Sequence, residues 1–191
     1  MKWFPEYNFI LASKSPRRQQ LLKSLDIDFT VQTKEVEEVY PAGMSKEQVP
    51  VFLAELKAQP FIKELADKDL LITADTIVCL GDEILGKPET FQDALEMIQN
   101  LSGKEHQVIT GVCLTTNQKS KSFSSLTNVV FKKLTLEEIE YYIQAYEPYD
   151  KAGAYGIQEW IGAIGITSIE GSFYNVMGLP IQKLYEQIQR F

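Results

Sequence analysis

The chain has 191 residues, 45% of them hydrophobic and 24% charged, with a formal net charge of -7. That length suits a single domain, 1–191, with room for two lobes and a buried core. The acidic balance opposes attraction to a nucleic acid polymer or an anionic membrane, no apolar run is long enough to span a bilayer, and "MKWFPEYNF" lacks a signal peptide's apolar stretch.

"NFILAS" (8–13) predicts a buried strand. Ser15 then suits an N-cap, Pro16 the first helical position, and Leu21, Leu22 and Leu25 an apolar helical stripe. "DFTVQT" (28–33) reads as a second strand and "KEVEEVYPAG" (34–43) as an acidic loop. Ser45 with Gln48 forms a capping-box pattern ahead of a helix carrying Val49, Phe52, Leu53 and Leu56. Pro60 should end or kink that helix, with a second segment following.

"LLITADTIVCL" (70–80) predicts a strand, and Gly81-Asp82 a hairpin turn into "EILGKP". Residues 90–103 run from an N-cap threonine to a closing glycine. "HQVITGVCLTT" and "KSFSSLTNVVFKKL" read as two long strands joined at "NQ". Thr135 with Glu138 caps the helix "LEEIEYYIQAY". The glycine-rich stretch through "GIQEWIGAIG" reads as loop followed by strand, and a last helix runs from Pro180 to about Arg190. Cys79 and Cys113 sit in apolar runs and read as core thiols. With one histidine, His106, a structural zinc site has too few ligands, and His106 reads as a hydrogen bonder at a strand start. The order predicts an α/β (mixed α+β) fold with a mixed sheet.

Four features carry chemistry. Arg17 and Arg18 stand where a strand hands over to a helix, and free N–H groups plus the helix dipole make that place an anion site. The alternative is two arginines paired with nearby acids. Asp75 interrupts an apolar strand, so it calls for a cation, a metal or a hydrogen-bonding net unless it faces water at an edge. Glu35, Glu37 and Glu38 are a solvated acidic loop taken alone, but beside Asp75 they suit Mg²⁺ bound with a nucleotide. Lys57, Lys87 and Lys151 lie at apolar or turn positions, Lys57 where its stem could simply snorkel from a helix edge. No P-loop, dinucleotide fingerprint or serine nucleophile elbow occurs.

"LASKSPRRQQLL", "ADTIVCLGDEILGKP", "LSGKEHQVITGV", "DKAGAYGIQ" and "NVMGLP" resemble, in order, the signature blocks of the Maf family of nucleoside triphosphate pyrophosphatases. The resemblance implies an elongated, twisted mixed sheet flanked by helices, like that of inosine triphosphate pyrophosphatases, with two lobes and a central cleft. It also implies a nucleoside triphosphate substrate cleaved between the α and β phosphates, a divalent cation, Mg²⁺ or Mn²⁺, and a homodimer in the cytoplasm. By position, Ser15 and Arg18 match the family's phosphate-binding residues, and Lys57 and Lys87 match phosphate-side lysines, with Lys151 also on the substrate side. Asp75 matches the catalytic carboxylate, and Glu38 with Glu37 the metal-binding acids. Arg17, Thr76 and Gln158 look like the trio of the branch acting on dTTP and UTP, where a 7-methyl-GTP branch has an aromatic residue in place of Arg17. Bulky Glu159 and Trp160 depart from the family pattern, which has smaller residues there. The resemblance also brings an association with cell-division arrest, so a nucleotide-binding regulator of septum formation with little turnover is the rival reading.

Overall fold

The computed structural model describes Phe4 and residues 6–191, so the reading of the first residues as no signal peptide lies partly outside what is described. Among the described residues a seven-stranded mixed sheet forms, with helices between its strands. The strands are β1 (Asn8–Leu11), β2 (Phe29–Val31), β3 (Asp69–Leu80), β4 (Glu83–Leu85), β5 (Glu105–Thr115), β6 (Ser120–Phe131) and β7 (Ile166–Glu170). Their order is β2-β1-β3-β5-β6-β7, with β4 paired to β3. β1 runs parallel to both β2 and β3, whereas β4 on β3 and β7 on β6 are antiparallel. No helix among the described residues is long and apolar enough to cross a membrane.

Local signals place most helices. Ser15 caps α1 (Pro16–Lys23) by accepting from the Arg18 N–H, with Pro16 in the first turn. Thr90 and Asp93 form a reciprocal capping box on α3 (Phe91–Leu101), and Thr135 and Glu138 form another on α4 (Leu136–Tyr146). α7 (Ile181–Gln189) is the expected last helix.

Two expectations need correction. Ser45 and Gln48 do not form a capping box: the chain makes a turn there, and α2 (Val49–Ala58) begins after it, with Gln48 as a cap that makes no side-chain bond. The reason is Pro50, which suits a first turn but would delete a hydrogen bond inside a helix begun at residue 46. Pro60 does end α2, in a 3-10 segment, Gln59–Glu64. The second correction lies in the glycine-rich stretch, where a helix, α5 (Trp160–Gly165), precedes β7, and a one-turn helix, α6 (Phe173–Val176), follows it.

The chain divides into two compact units. One comprises residues 1–75, 110–125 and 178–191, and its core gathers Ile10, Ala54, Phe61, Leu71 and Cys113. The other comprises 76–109 and 126–177, with Val78, Ile98, Val129, Phe131, Ile139 and Ile161 among its buried residues. Cys79 and Cys113 are free, buried thiols.

Candidate active site

β1 is only four residues long and covers β3 from Asp69 to Ile72, while β4 covers Val78 to Leu80. Thr73 to Ile77 therefore fall outside these two pairings, and backbone groups that β5, the other neighbour of β3, does not reach need other partners. Arg18 supplies one: its Nη1 donates to the Ala74 carbonyl and its Nε to the Gly178 carbonyl, both at 2.8 Å. The guanidinium of the expected phosphate site thus pins Ala74 of β3 and Gly178 to the start of α1. Burial lowers its proton affinity, and the charge of Asp75 opposes that effect.

Thr73 and Asp75 are two apart on β3 and so leave the strand on one face. Both reach α2. The Thr73 hydroxyl donates to the Ala54 carbonyl at 2.6 Å, and one helical turn later Lys57 Nζ stands 2.6 Å from Asp75 Oδ1. α2 can approach that closely because β5 carries Gly111 beneath it. A Cβ at Gly111 would lie 2.3 Å from the Pro50 carbonyl and the Val51 nitrogen. An isolated glycine in the apolar run "VITGVCL" was the available signal for this approach.

Lys57 also meets Glu38, with Nζ 3.0 Å from Oε1. The acidic loop reaches it because Lys34, at the loop's start, pairs with Glu64 and donates to the Pro60 carbonyl at 2.8 Å. Asp75 is 8% exposed, so its carboxylate does need the cation it finds. Glu37 is exposed and is not among the partners of Lys57.

The donor chemistry of this cluster fits a small divalent cation. Two carboxylate oxygens within 2.6 and 3.0 Å of one nitrogen are no more than 5.6 Å apart (2.6 + 3.0), and a positive charge already sits between them. No group of three or more His, Cys, Asp or Glu side chains able to hold a metal ion forms among the described residues. A pair of carboxylates is what a cation shared with phosphate oxygens and waters needs.

Of the other expected residues, Thr76, Lys87, Lys151 and Gln158 belong to the second unit. Thr76 follows Asp75 along β3 and leaves on the opposite face. Lys87 is exposed in the turn between β4 and α3, and the Gly86 carbonyl beside it accepts from the Gly153 N–H at 3.0 Å. Lys151 is buried, with Nζ 2.7 Å from Asp150 and 3.2 Å from Glu159. Ala154, three residues on, holds the left-handed conformation at φ +60°, a strained state for a residue with a Cβ. Gln158 is exposed in the turn before α5. Arg17 is half-buried on α1, in the first unit.

The sequence did not point to Tyr142, whose phenol on α4 donates to Glu159 Oε2 and accepts from the Gly156 N–H at 3.0 Å. Burial and the Glu159 charge raise its proton affinity, so it stays a neutral phenol. His106, at the start of β5, meets the Tyr155 hydroxyl at 2.7 Å, the strand-start hydrogen bond expected of it.

Residues 8–191 match the family model described as Maf-like protein. A dTTP/UTP pyrophosphatase of Bacteroides thetaiotaomicron is 52% identical over 186 residues, covering 97% of this chain and 96% of that protein. A dTTP/UTP pyrophosphatase of Flavobacterium psychrophilum is 50% identical over 184 residues, covering 96% and 94%. Among solved structures, the Staphylococcus aureus Ham1 protein superposes with a TM-score of 0.48 at 17% identity, over 65% of this chain and 71% of that one.

Proposed function

The chain belongs to the Maf family, and on that premise we propose that it hydrolyses dTTP and UTP to the monophosphate and pyrophosphate. Relatives half identical over nearly the whole length, named for that activity, support the substrate class. The observation that carries the chemistry is the convergence of Glu38 and Asp75 on Lys57, two acids within 3.0 Å of one ammonium nitrogen.

Asp75 is held through Oδ1 by Lys57, which fixes the carboxylate and leaves Oδ2 to take a proton from a water molecule. That water attacks the α-phosphorus, its oxygen forms the new P–O bond, and the bond to the bridging oxygen breaks with departure of pyrophosphate. Lys57 and Lys87 place positive charge against the phosphates, and Ser15 with the start of α1 adds N–H donors. Arg18 acts by holding Ala74, the residue before Asp75, in addition to adding charge. Glu38 and Asp75, with Glu37 nearby, would hold Mg²⁺ or Mn²⁺. When bound, the cation neutralises charge developing on the phosphoryl oxygens. Arg17, Thr76 and Gln158 set base preference, the Gln158 amide offering a pyrimidine edge both a donor and an acceptor. The reading extends to a cytoplasmic homodimer.

The test incubates the protein and Mg²⁺ with dTTP, UTP, CTP, GTP and 7-methyl-GTP and measures pyrophosphate. Pyrophosphate from dTTP and UTP, and a loss of about 10²-fold or more in turnover for Asp75→Asn, are expected. Orthophosphate as first product, or an Asp75→Asn variant of near-normal rate, overturns the mechanism. Preference for 7-methyl-GTP overturns the assignment of Arg17, and tight binding without product makes the protein a nucleotide-responsive regulator.

A further inference from the structure

We propose that Tyr142 is a positioning residue for base selection, its phenol clamping the Gly156–Glu159 turn so that Gln158 is presented in one place. The proposal rests on the reading of Gln158 as the residue that meets the base.

The turn is held at both ends by one oxygen. Tyr142 Oη accepts from the Gly156 N–H at 3.0 Å and donates to the Glu159 carboxylate. Glu159 closes the turn with its own N–H, which donates to the Gly156 carbonyl at 3.0 Å. The other Glu159 oxygen, Oε1, is 3.2 Å from Lys151 Nζ, which is itself buried and paired with Asp150. The residues packed here leave no slack. A Cβ on Gly156 would lie 2.7 Å from Glu159 Cδ, and a Cβ on Gly162 of α5 would lie 1.8 Å from the Ile157 carbonyl oxygen. Residues 156 and 159 are thus both tied to the Tyr142 phenol, the Ile157 carbonyl lies against Gly162, and the exposed side chain between them is Gln158.

This fixity matters because of what an amide is. Glutamine can turn its carboxamide to answer either uracil or cytosine, whose edges exchange donor for acceptor. A turn held in one place fixes where that carboxamide is offered, so the contact to the base is kept or lost with the position of the turn. Lys151 then acts on the substrate side through Glu159, by neutralising the carboxylate that the phenol needs as acceptor. The acid and the bulk at 159 acquire a purpose in the same arrangement.

Tyr142→Phe keeps the ring, its burial and its stack on Tyr146 at 5.2 Å, and deletes one oxygen. Hydrogen exchange at the Gly156 amide should quicken about tenfold, and KM for UTP should rise about tenfold with kcat within threefold. The UTP-over-CTP preference should shrink with it. Glu159→Ala, which breaks the same clamp from the other side, should give the same split, and the double variant should be no worse than either single one. Gln158→Ala run in parallel separates the reader of the base from its clamp. Unchanged preference in Gln158→Ala overturns both the reader and its clamp. Lost preference in Gln158→Ala with wild-type preference and exchange in Tyr142→Phe and Glu159→Ala overturns the clamp alone, as do additive effects in the double variant.

Discussion

Removing Lys57 tests whether the cluster on β3 and α2 is an interacting unit or three side chains that happen to be close. In Lys57→Met the stem and its packing survive while the charge disappears. Nζ lies 2.6 Å from Asp75 Oδ1, and the two side chains are 19% and 11% exposed, so water replaces little of what is lost. Breaking a buried pair from one side costs about 3–5 kcal/mol, and the residual exposure places this one near the low end, about 3 kcal/mol. Glu38 is 51% exposed and adds roughly 0–1 kcal/mol. Asp75→Asn keeps an acceptor and leaves Lys57 with Glu38, for a loss of about 1–2 kcal/mol. Urea unfolding of wild type, both single variants and the double variant at pH 7 closes the cycle. The buried contact predicts a coupling of about 2 kcal/mol. Additivity within about 0.5 kcal/mol would falsify the interaction, because two side chains that support one another cannot be removed independently.

Three further outcomes follow from the same geometry. Lys57 and a divalent cation compete for the carboxylates of Glu38 and Asp75, so Lys57→Met should bind Mn²⁺ at least tenfold more tightly in the absence of nucleotide, as read by electron paramagnetic resonance; equal or weaker binding refutes the competition. Burial depresses the His106 pKa from 6.5 to about 4, so the unfolded chain takes up the proton first and stability is lost as pH falls from about 6.5 toward 4. Between pH 7.5 and 5 the loss should be roughly 2 kcal/mol, and His106→Gln should flatten that slope. Gly111→Ala sets a methyl group against the main chain of Pro50 and Val51, which cannot rotate aside, so α2 must lift. A loss of about 3 kcal/mol by thermal unfolding is expected, together with lower activity because Lys57 rides on α2; an unchanged melting temperature refutes the close approach.

The helix punctuation was readable because it is local. Ser15 and Pro16, Thr90 and Asp93, Thr135 and Glu138 each satisfy N–H groups within three or four residues, so composition and spacing suffice. The Gly81-Asp82 hairpin and the end of α2 at Pro60 are local for the same reason. α5 escaped because "WIGAIG" carries two glycines and shows the apolar run of a strand. It forms where Ile161 can be buried, with Gly162 admitting the Ile157 carbonyl, and propensity is overridden by packing.

By itself the sequence determined most of the elements, the acids and cations available and, through its ordered blocks, the family resemblance. Only the tertiary structure decided who meets whom. Arg18 turns to carbonyls 56 and 160 residues away, and Lys57 reaches a carboxylate 18 residues along the chain. Lys151, read as a substrate contact, is buried against Glu159, which a phenol from α4 also holds. Such partnerships depend on where β1 stops, how close Gly111 lets α2 come, and which face of β3 carries Thr73 and Asp75. Those quantities arise from sheet register and helix packing across the chain, and no short window of residues contains them.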